Sequence, residues 1–286
     1  MTTNDGDGWL NAAARNVTSQ AGEDGIIARA LEVLPERTQW CVEFGAWDGK
    51  HLSNTWDLVQ NRDYAAVLIE GEGARVGDIA RTYPGNDKVI AVNAWVGFRE
   101  ADGLDSILAR TPIPLEFDVL SIDIDGNDWH VWSAVRRYRP KLVVIEHNPT
   151  IATEVDFVQP ADPRVMQGCS LAALVRLGKE KGYELVATTR FNAIFVDASY
   201  FPLFGIADNS PAKLRVDNSL VTHIFCGYDG RVFLRGSCRM PWHGLPYSEA
   251  AVQQLPRFLQ DWALEYGVIR TKMFGIYKRA RKFGLA

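Results

Sequence analysis

Two short acidic segments carry the residues best suited to chemistry. Ser121-Ile122-Asp123-Ile124-Asp125-Gly126-Asn127-Asp128 brings three carboxylates within six residues, and Glu146-His147-Asn148 adds a fourth beside an imidazole. Each closes a short apolar run, Phe117–Asp123 and Lys141–Glu146, with the Val, Ile and Leu content of a strand covered on both faces. If the two runs are neighbouring parallel strands, the acids meet side by side. Carboxylates crowded in that way repel one another unless a cation neutralises them. A divalent ion with oxygen ligands answers the problem, with Mg²⁺ the natural hard-cation candidate.

Three earlier strand ends point to a second ligand. The run Trp40–Phe44 leads into Gly45-Ala46-Trp47-Asp48-Gly49. A strand, a glycine turn and then a helix make a crevice at the carboxyl edge of a parallel sheet. The spacing is G-x-x-x-G, not the G-x-G-x-x-G expected for a pyrophosphate. Glu43 in the loop approach would repel phosphate but suits the cationic end of S-adenosylmethionine. The next run, Tyr64–Glu70, ends in a carboxylate that can accept both hydroxyls of a ribose. The third, Lys88–Asn93, ends in Asn93-Ala94-Trp95, where an amide and an aromatic ring can read and stack on adenine. Glu43, Gly45, Ala46, Asp48, Gly49, Glu70, Asn93 and Ala94 therefore form the expected cofactor set, with Asp123 joining it from the fourth strand. Each acid taken singly also reads as an ordinary strand-end charge.

These positions require a particular scaffold. Apolar runs alternate with helix-like stretches from Thr38 onward, the βαβ pattern of a mostly parallel sheet. Tyr183–Thr188 and Asn192–Asp197 are too close for a parallel crossover and read as an antiparallel hairpin. A plain dinucleotide-binding fold would continue βαβ to its sixth strand. The hairpin predicts instead a Rossmann-like, seven-stranded, mostly parallel sheet with an antiparallel last strand, the class I methyltransferase type. Ahead of the sheet, Ser19 with Gly22-Glu23 reads as a helix start, running to about Leu34 before Pro35.

The segments SQAGEDG, CVEFGAWDGKHLSNT, VLIEGE, LSIDIDGND and VVIEHNP, between Ser19 and Asn148, resemble the FkbM-like group of class I methyltransferases. The resemblance covers about half of the chain. It implies S-adenosylmethionine as methyl donor, commonly a sugar or natural-product hydroxyl as acceptor, and a contact from Gln20 to the methionine end of the donor. By itself Gln20 reads as a solvated helix-start residue. The layout is also similar to that of metal-dependent sugar O-methyltransferases, which implies Asp125 and Glu146 as metal ligands. His147 stands where a second acid is expected, and an imidazole takes Mn²⁺ or Zn²⁺ more readily than Mg²⁺. Transfer to a hydroxyl needs a base. The pattern selects Asp128, three residues past Asp125; an imidazole tuned near neutrality selects His147; His130 comes third. Asn127 and Asp128 also read as caps of the helix beginning at Trp129.

The remainder of the chain frames these expectations. It has 286 residues, 47% hydrophobic and 23% charged, enough for a substantial core, and a formal net charge of −4, which gives no global attraction to nucleic acid. No apolar run is long enough to span a bilayer, no secretory signal is evident, and cytoplasm is the default location. The four cysteines are scattered and expected to be reduced, a bridge or zinc site at Cys226 and Cys238 being the exception to test. The predicted domains are an N-terminal cap helix region (1–36), an S-adenosylmethionine-binding domain (37–200) and a C-terminal lid or extension (201–286). The long loop Pro149–Gly168, with Asp156, Gln159, Asp162 and Arg164, is the expected acceptor-recognition element. Trp47, Trp129, Trp132, Trp242, Trp262 and Tyr247 are available to stack on a sugar, or simply to pack. A final helix carries Arg270, Lys272, Lys278, Arg279, Arg281 and Lys282, read as a solvated cationic face or as a contact for an anionic substrate or second subunit.

The leading expectation is an S-adenosylmethionine-dependent O-methyltransferase acting on a sugar or polyhydroxylated natural product, with Mg²⁺ or Mn²⁺. The alternatives are a metal-independent enzyme for a non-sugar O or N acceptor and a noncatalytic cofactor-binding protein. A small-molecule or saccharide partner is expected, nucleic acid and a membrane span are not, and a homo-oligomer stays open.

Overall fold

The computed structural model describes residue 6 and residues 8–284. Compact folding divides the chain into Met1–Asn218 and Ser219–Ala286.

The first unit is built on seven strands: β1 (Trp40–Phe44), β2 (Ala65–Glu70), β3 (Val89–Asn93), β4 (Glu116–Ile122), β5 (Arg139–Glu146), β6 (Tyr183–Thr188) and β7 (Asn192–Asp197). They form one sheet in the order β3-β2-β1-β4-β5-β7-β6. β7 runs antiparallel to both β5 and β6, and the pairs among β1 to β5 are parallel. This is the Rossmann-like sheet the sequence predicts, with the strand order of the class I methyltransferase fold. Helix α1 (Glu23–Val33) precedes the sheet; α2 (Trp56–Arg62), α3 (Gly73–Thr82), α4 (Leu104–Leu108), α5 (Asp128–Ala134) and α6 (Leu171–Glu180) lie between its strands; and α7 (Pro211–Leu214) follows it.

Side-chain alternation sorts the core into two layers. Val42, Phe44, Leu120, Ile122, Val143, Ile145 and Phe195 pack with Leu104, Val131, Trp132 and Leu174 from α4, α5 and α6. Cys41, Leu68, Val119, Leu142, Val144, Ile194 and Val196 pack with Ile26, Ile27, Leu31, Leu58 and Ile79 from α1, α2 and α3. The central strands are buried on both sides, which is why their sequences are continuously apolar.

The start of α1 differs from the expected cap. The residue before the helix is Gly22, at φ 101°, and its position offers no side-chain cap. Ser19 pairs instead with Asp24: the Ser19 N–H donates to Oδ2 at 2.8 Å, and the Asp24 N–H donates to Ser19 Oγ at 3.0 Å.

The second unit contains a hairpin, β8 (Thr222–Cys226) with β9 (Val232–Gly236), and a pairing of Arg239–Met240 with Leu245–Pro246. Short 3₁₀ turns then lead to α8 (Val268–Lys282), the cationic helix. No residue of α8 is buried. Leu285 and Ala286, the end of the predicted helical stretch, lie outside the described residues. All four cysteines are free. Among the described residues no helix is long and apolar enough to cross a membrane.

Candidate functional site

Parallel strands deliver their carboxyl ends to one edge, and the register aligns them there: Phe44 pairs with Ile122, and Ile122 with Ile145. Just beyond, Asp123, Asp125 and Glu146 each present a carboxylate oxygen, all within 4.8 Å of one another. Burial and the neighbouring carboxylates raise the proton affinity of Asp123 and Glu146. Asp123 is pushed up to about 8, by burial first and then by Asp128, Asp125 and Glu43. Glu146 is raised well above the usual carboxylate range, by burial and then by Asp123, Asp128 and Asp125. Asp125 sits at φ 57°, a left-handed conformation that aspartate tolerates better than most residues. The donor set is all oxygen and compact, which fits a hard divalent cation.

His147 does not join these acids. Alternation gives Glu146 the parity of Leu142 and Val144, and His147 the parity of Val143 and Ile145, the opposite layer. The expected metal ligation by His147 is corrected accordingly. The ring is 1% exposed, and neither nitrogen makes a hydrogen bond of ordinary geometry, although the backbone of Asn148 and Thr189 lies beside it. Burial, then the nearby Arg215 guanidinium, hold its pKa down at about 4.

Both carboxylate oxygens of Asp128 are met by backbone. Its Oδ1 accepts the Ile124 N–H and its Oδ2 the Gly126 N–H, both at 2.9 Å. Burial raises it to about 6 against the pull of those two donors. Its evident work is to hold the loop that carries Asp125. His130 Nε2 lies 2.9 Å from the Gln159 carbonyl, so this residue braces the following loop.

The glycine turn adjoins the acids. Gly45 has φ 71°, and a Cβ there would stand 1.9 Å from the carbonyl oxygen of Asp123. The Ala46 N–H donates to the Ile69 carbonyl at 3.2 Å, and the Gly49 N–H to the Ala46 carbonyl at 2.7 Å, closing the turn. Asp48 Oδ1 accepts the N–H groups of Lys50 and His51. Glu70 ties two loops together: Oε2 accepts the Trp47 N–H at 2.9 Å, and Oε1 the Glu72 N–H at 2.8 Å. Each oxygen keeps a lone pair for a ribose hydroxyl. Asn93 Nδ2 donates to the carbonyls of Glu70 and Gly71, and the Ala94 N–H to that of Glu70. Trp95 remains 74% exposed, with its ring laid over Gly71, where a Cβ would meet ring carbons at 2.3 Å. An open indole face here is a ready platform for a base. Trp47 is also exposed, with the Arg75 guanidinium 3.9 Å above its ring.

Glu43 departs from its expected role. Oε1 takes the Asn54 N–H at 2.8 Å, and Oε2 takes the hydroxyls of Ser53 at 2.5 Å and Thr55 at 2.7 Å. Those donors come from the HLSNT stretch, so Glu43 anchors the segment leading into α2 and has little capacity left for a ligand's cation. Burial raises its proton affinity, and the same hydrogen bonds oppose the rise.

Sequence reading gave the acids of the N-terminal segment no part beyond a helix start. Asp24 Oδ2 gathers the N–H groups of Val17, Thr18 and Ser19. Glu23, fully buried, accepts the Ala21 N–H, the Thr189 hydroxyl and the Asn192 amide. The signal was present, since two adjacent acids that open a helix and are followed by glycine could bind backbone as well as complement the dipole. Two of its partners, Ala21 and Thr189, line a cavity of about 560 Å³ together with Asn11, Gln20, Arg190, Phe191 and Asp217, among others. Asn192, at the turn bordering this cavity, pairs in register with Glu146. Asn11 Oδ1 is buried there without a hydrogen-bond partner.

The Pro149–Gly168 loop is held from within. Gln159 is 2% exposed; its Oε1 accepts the N–H groups of Gln167 and Gly168, and its Nε2 donates to the Val165 carbonyl. Arg215 pins the loop's start through the carbonyls of Pro149 and Ile151. Asp162 with Arg164 and Asp156 with Arg176 are surface pairs. Trp132 is core, edge-on to Tyr183, and the Trp129 indole N–H meets the Ala173 carbonyl at 3.3 Å.

No protein-family model matches the chain, and no curated protein matches it. Among solved structures, the N-terminal domain of EvdMO1 with SAH bound is similar at 12% identity and a TM-score of 0.40, over 61% of this chain and 80% of that one. The CurJ carbon methyltransferase is similar at 11% identity and 0.41, over 61% of this chain and 52% of its own length. Precorrin-6y C5,15-methyltransferase from Geobacter metallireducens is similar at 15% identity and 0.38, over 64% and 92%. Likeness of this degree adds nothing to the strand order seen directly.

Proposed function

We propose that the chain is an S-adenosylmethionine-dependent O-methyltransferase acting on a hydroxyl of a sugar or polyhydroxylated natural product, with a divalent cation at Asp123, Asp125 and Glu146. The observation that carries the reading is the meeting of those three carboxylates against the Gly45 turn. Glu70 holds the ribose hydroxyls, Trp95 and Asn93 border the adenine, and the tight Gly45 turn lets the donor lie against backbone. The bound donor supplies an electrophilic methyl on a sulfonium, which leaves as S-adenosylhomocysteine when the acceptor oxygen bonds to that methyl. A bound cation would lower the pKa of the acceptor hydroxyl.

This chain's own residues do the rest. Asp128 fixes the Asp125 loop through its two backbone hydrogen bonds. Where no cation is held, the raised proton affinity of Asp123 and Glu146 suits one of them to take the acceptor proton. The cavity beside Gln20 has room for a ring-sized acceptor, and Asn11 Oδ1 offers one of its hydroxyls a partner. A second reading, metal-independent transfer, draws on the same raised Asp123, since a proton there can relieve the crowded charge in place of a cation.

Calorimetric titration with S-adenosylhomocysteine, with NAD as control and with Mg²⁺, Mn²⁺ or chelator present, tests the donor. Micromolar binding of the first ligand alone is expected, and no binding under any metal condition would remove the proposal. Glu146→Gln is expected to keep that affinity and to lower turnover about a hundredfold. Full turnover in chelator would select the metal-independent reading.

A further inference from the structure

The C-terminal unit has a surface that the proposed chemistry does not use. Ile269, Met273, Ile276, Ala280 and Phe283 recur at the spacing of one helical face, along α8 and its final cap. Ile269 is 76% exposed, Ile276 67% and Phe283 73%, so this apolar stripe faces solvent. Leu264, just before the helix, and Val268, its first residue, are exposed as well, and Tyr228 and Trp242 add exposed aromatics in the same unit. Exposed apolar surface concentrated in this way marks an interaction site.

Charge narrows the choice of occupant. Residues 219–286 hold ten Lys and Arg against four Asp and Glu. Three of those acids are already paired inside the unit, Asp229 with Arg231, Glu249 with Arg235 and Asp261 with Arg270. Along α8, Lys272 and Arg279 project beside one edge of the stripe, Arg270 and Arg281 beyond the other. Among the described residues, Lys272, Arg279 and Lys282 have no carboxylate within salt-bridge distance. The occupant must therefore offer apolar depth and negative charge together.

We propose that this unit docks on an anionic lipid bilayer, with α8 lying in the plane of the interface, its stripe between the acyl chains and its Lys and Arg among the headgroups. Long basic side chains reach the headgroups from a half-sunk helix, and Trp and Tyr favour the same depth. Each basic residue near such a surface contributes about fivefold in partitioning.

The test is sedimentation of the full chain with phosphatidylcholine vesicles, with and without phosphatidylserine, in low and high salt. Binding is expected only with phosphatidylserine and is expected to weaken in high salt. Lys272→Gln, Arg279→Gln and Lys282→Gln together are expected to reduce it about a hundredfold, and Lys272→Arg with Lys282→Arg to leave it intact. Ile276→Glu should abolish it with the thermal midpoint unchanged. Equal binding to neutral vesicles, or none to either, would overturn the proposal. So would loss of self-association in Ile276→Glu without vesicle binding by the parent chain, which would assign the stripe to a second copy.

Discussion

In residues 1–218, where Asp and Glu outnumber Lys and Arg by ten, the functional acids turn inward and are met by backbone. Asp24, Glu23, Glu43, Glu70 and Asp128 all bind N–H groups of loops at the sheet edge. In residues 219–286, where Lys and Arg lead by six, the charges turn outward, and large apolar side chains stand in solvent beside them. One region spends its polar groups on fixing loops over a core buried on both faces of a sheet. The other has a small interior, with Val221, Val232, Leu234 and Leu259 as its buried apolar residues. The same residue types thus serve pre-organisation in one unit and contact in the other, and burial decides which.

The contrast can be broken most forcefully in the first core. Phe195→Ala empties the space between Trp132 and Gly178 and should cost about 3–5 kcal/mol in denaturant unfolding. A cost under about 1 kcal/mol would mean that this core is not close-packed. Gly45→Ala should cost about 2–4 kcal/mol, through a disfavoured φ and a collision with the Asp123 carbonyl; an unchanged melting curve would show that the two loops can part.

A pH series sharpens the electrostatic half. Asp123 is raised to about 8 and Asp128 to about 6, while carboxylates of an unfolded chain titrate near about 4. Between those limits the metal-free folded protein holds protons that the unfolded chain has released, so stability falls as pH rises from about 4 to about 8. The thermal midpoint in chelator should drop across that window, and saturating Mg²⁺ or Mn²⁺ should flatten the slope. A chelated profile that rises instead would show the acids to be stabilised as anions. The smallest effect belongs to the second unit, where Ile269→Ser should shift stability by no more than about 0.5 kcal/mol. A larger loss would mean that the stripe is already covered.

Much of the first unit was legible because burial on two faces writes itself into a chain as continuous apolar runs. β1, β6 and β7 have the bounds that the sequence predicts, and the short gap between the last two identified the antiparallel strand. The site was harder to read, because spacing names the residue but not the direction of its side chain. His147 follows Glu146 by one position and so falls on the other layer, a consequence of strand alternation that a metal-ligand pattern obscures. Asp128 has the spacing of a base, yet its oxygens are filled by the loop it follows. Glu43 reads as open because its partners, ten to twelve residues on, become neighbours only after the turn closes.

The Glu23 carboxylate meets Thr189, 166 residues later, and Trp9 and Asn11 close on Phe204 and Thr188 across 195 and 177 residues. A ribosome adding about 5–20 residues per second must work for roughly ten seconds or more before those partners exist. Until then the N-terminal segment has emerged with nothing to close against, and the parallel strands ahead of the hairpin lack their final edge. Synthesis therefore sets the earliest moment of this closure, and shortening the chain before the hairpin would leave its beginning unfastened as surely as its end.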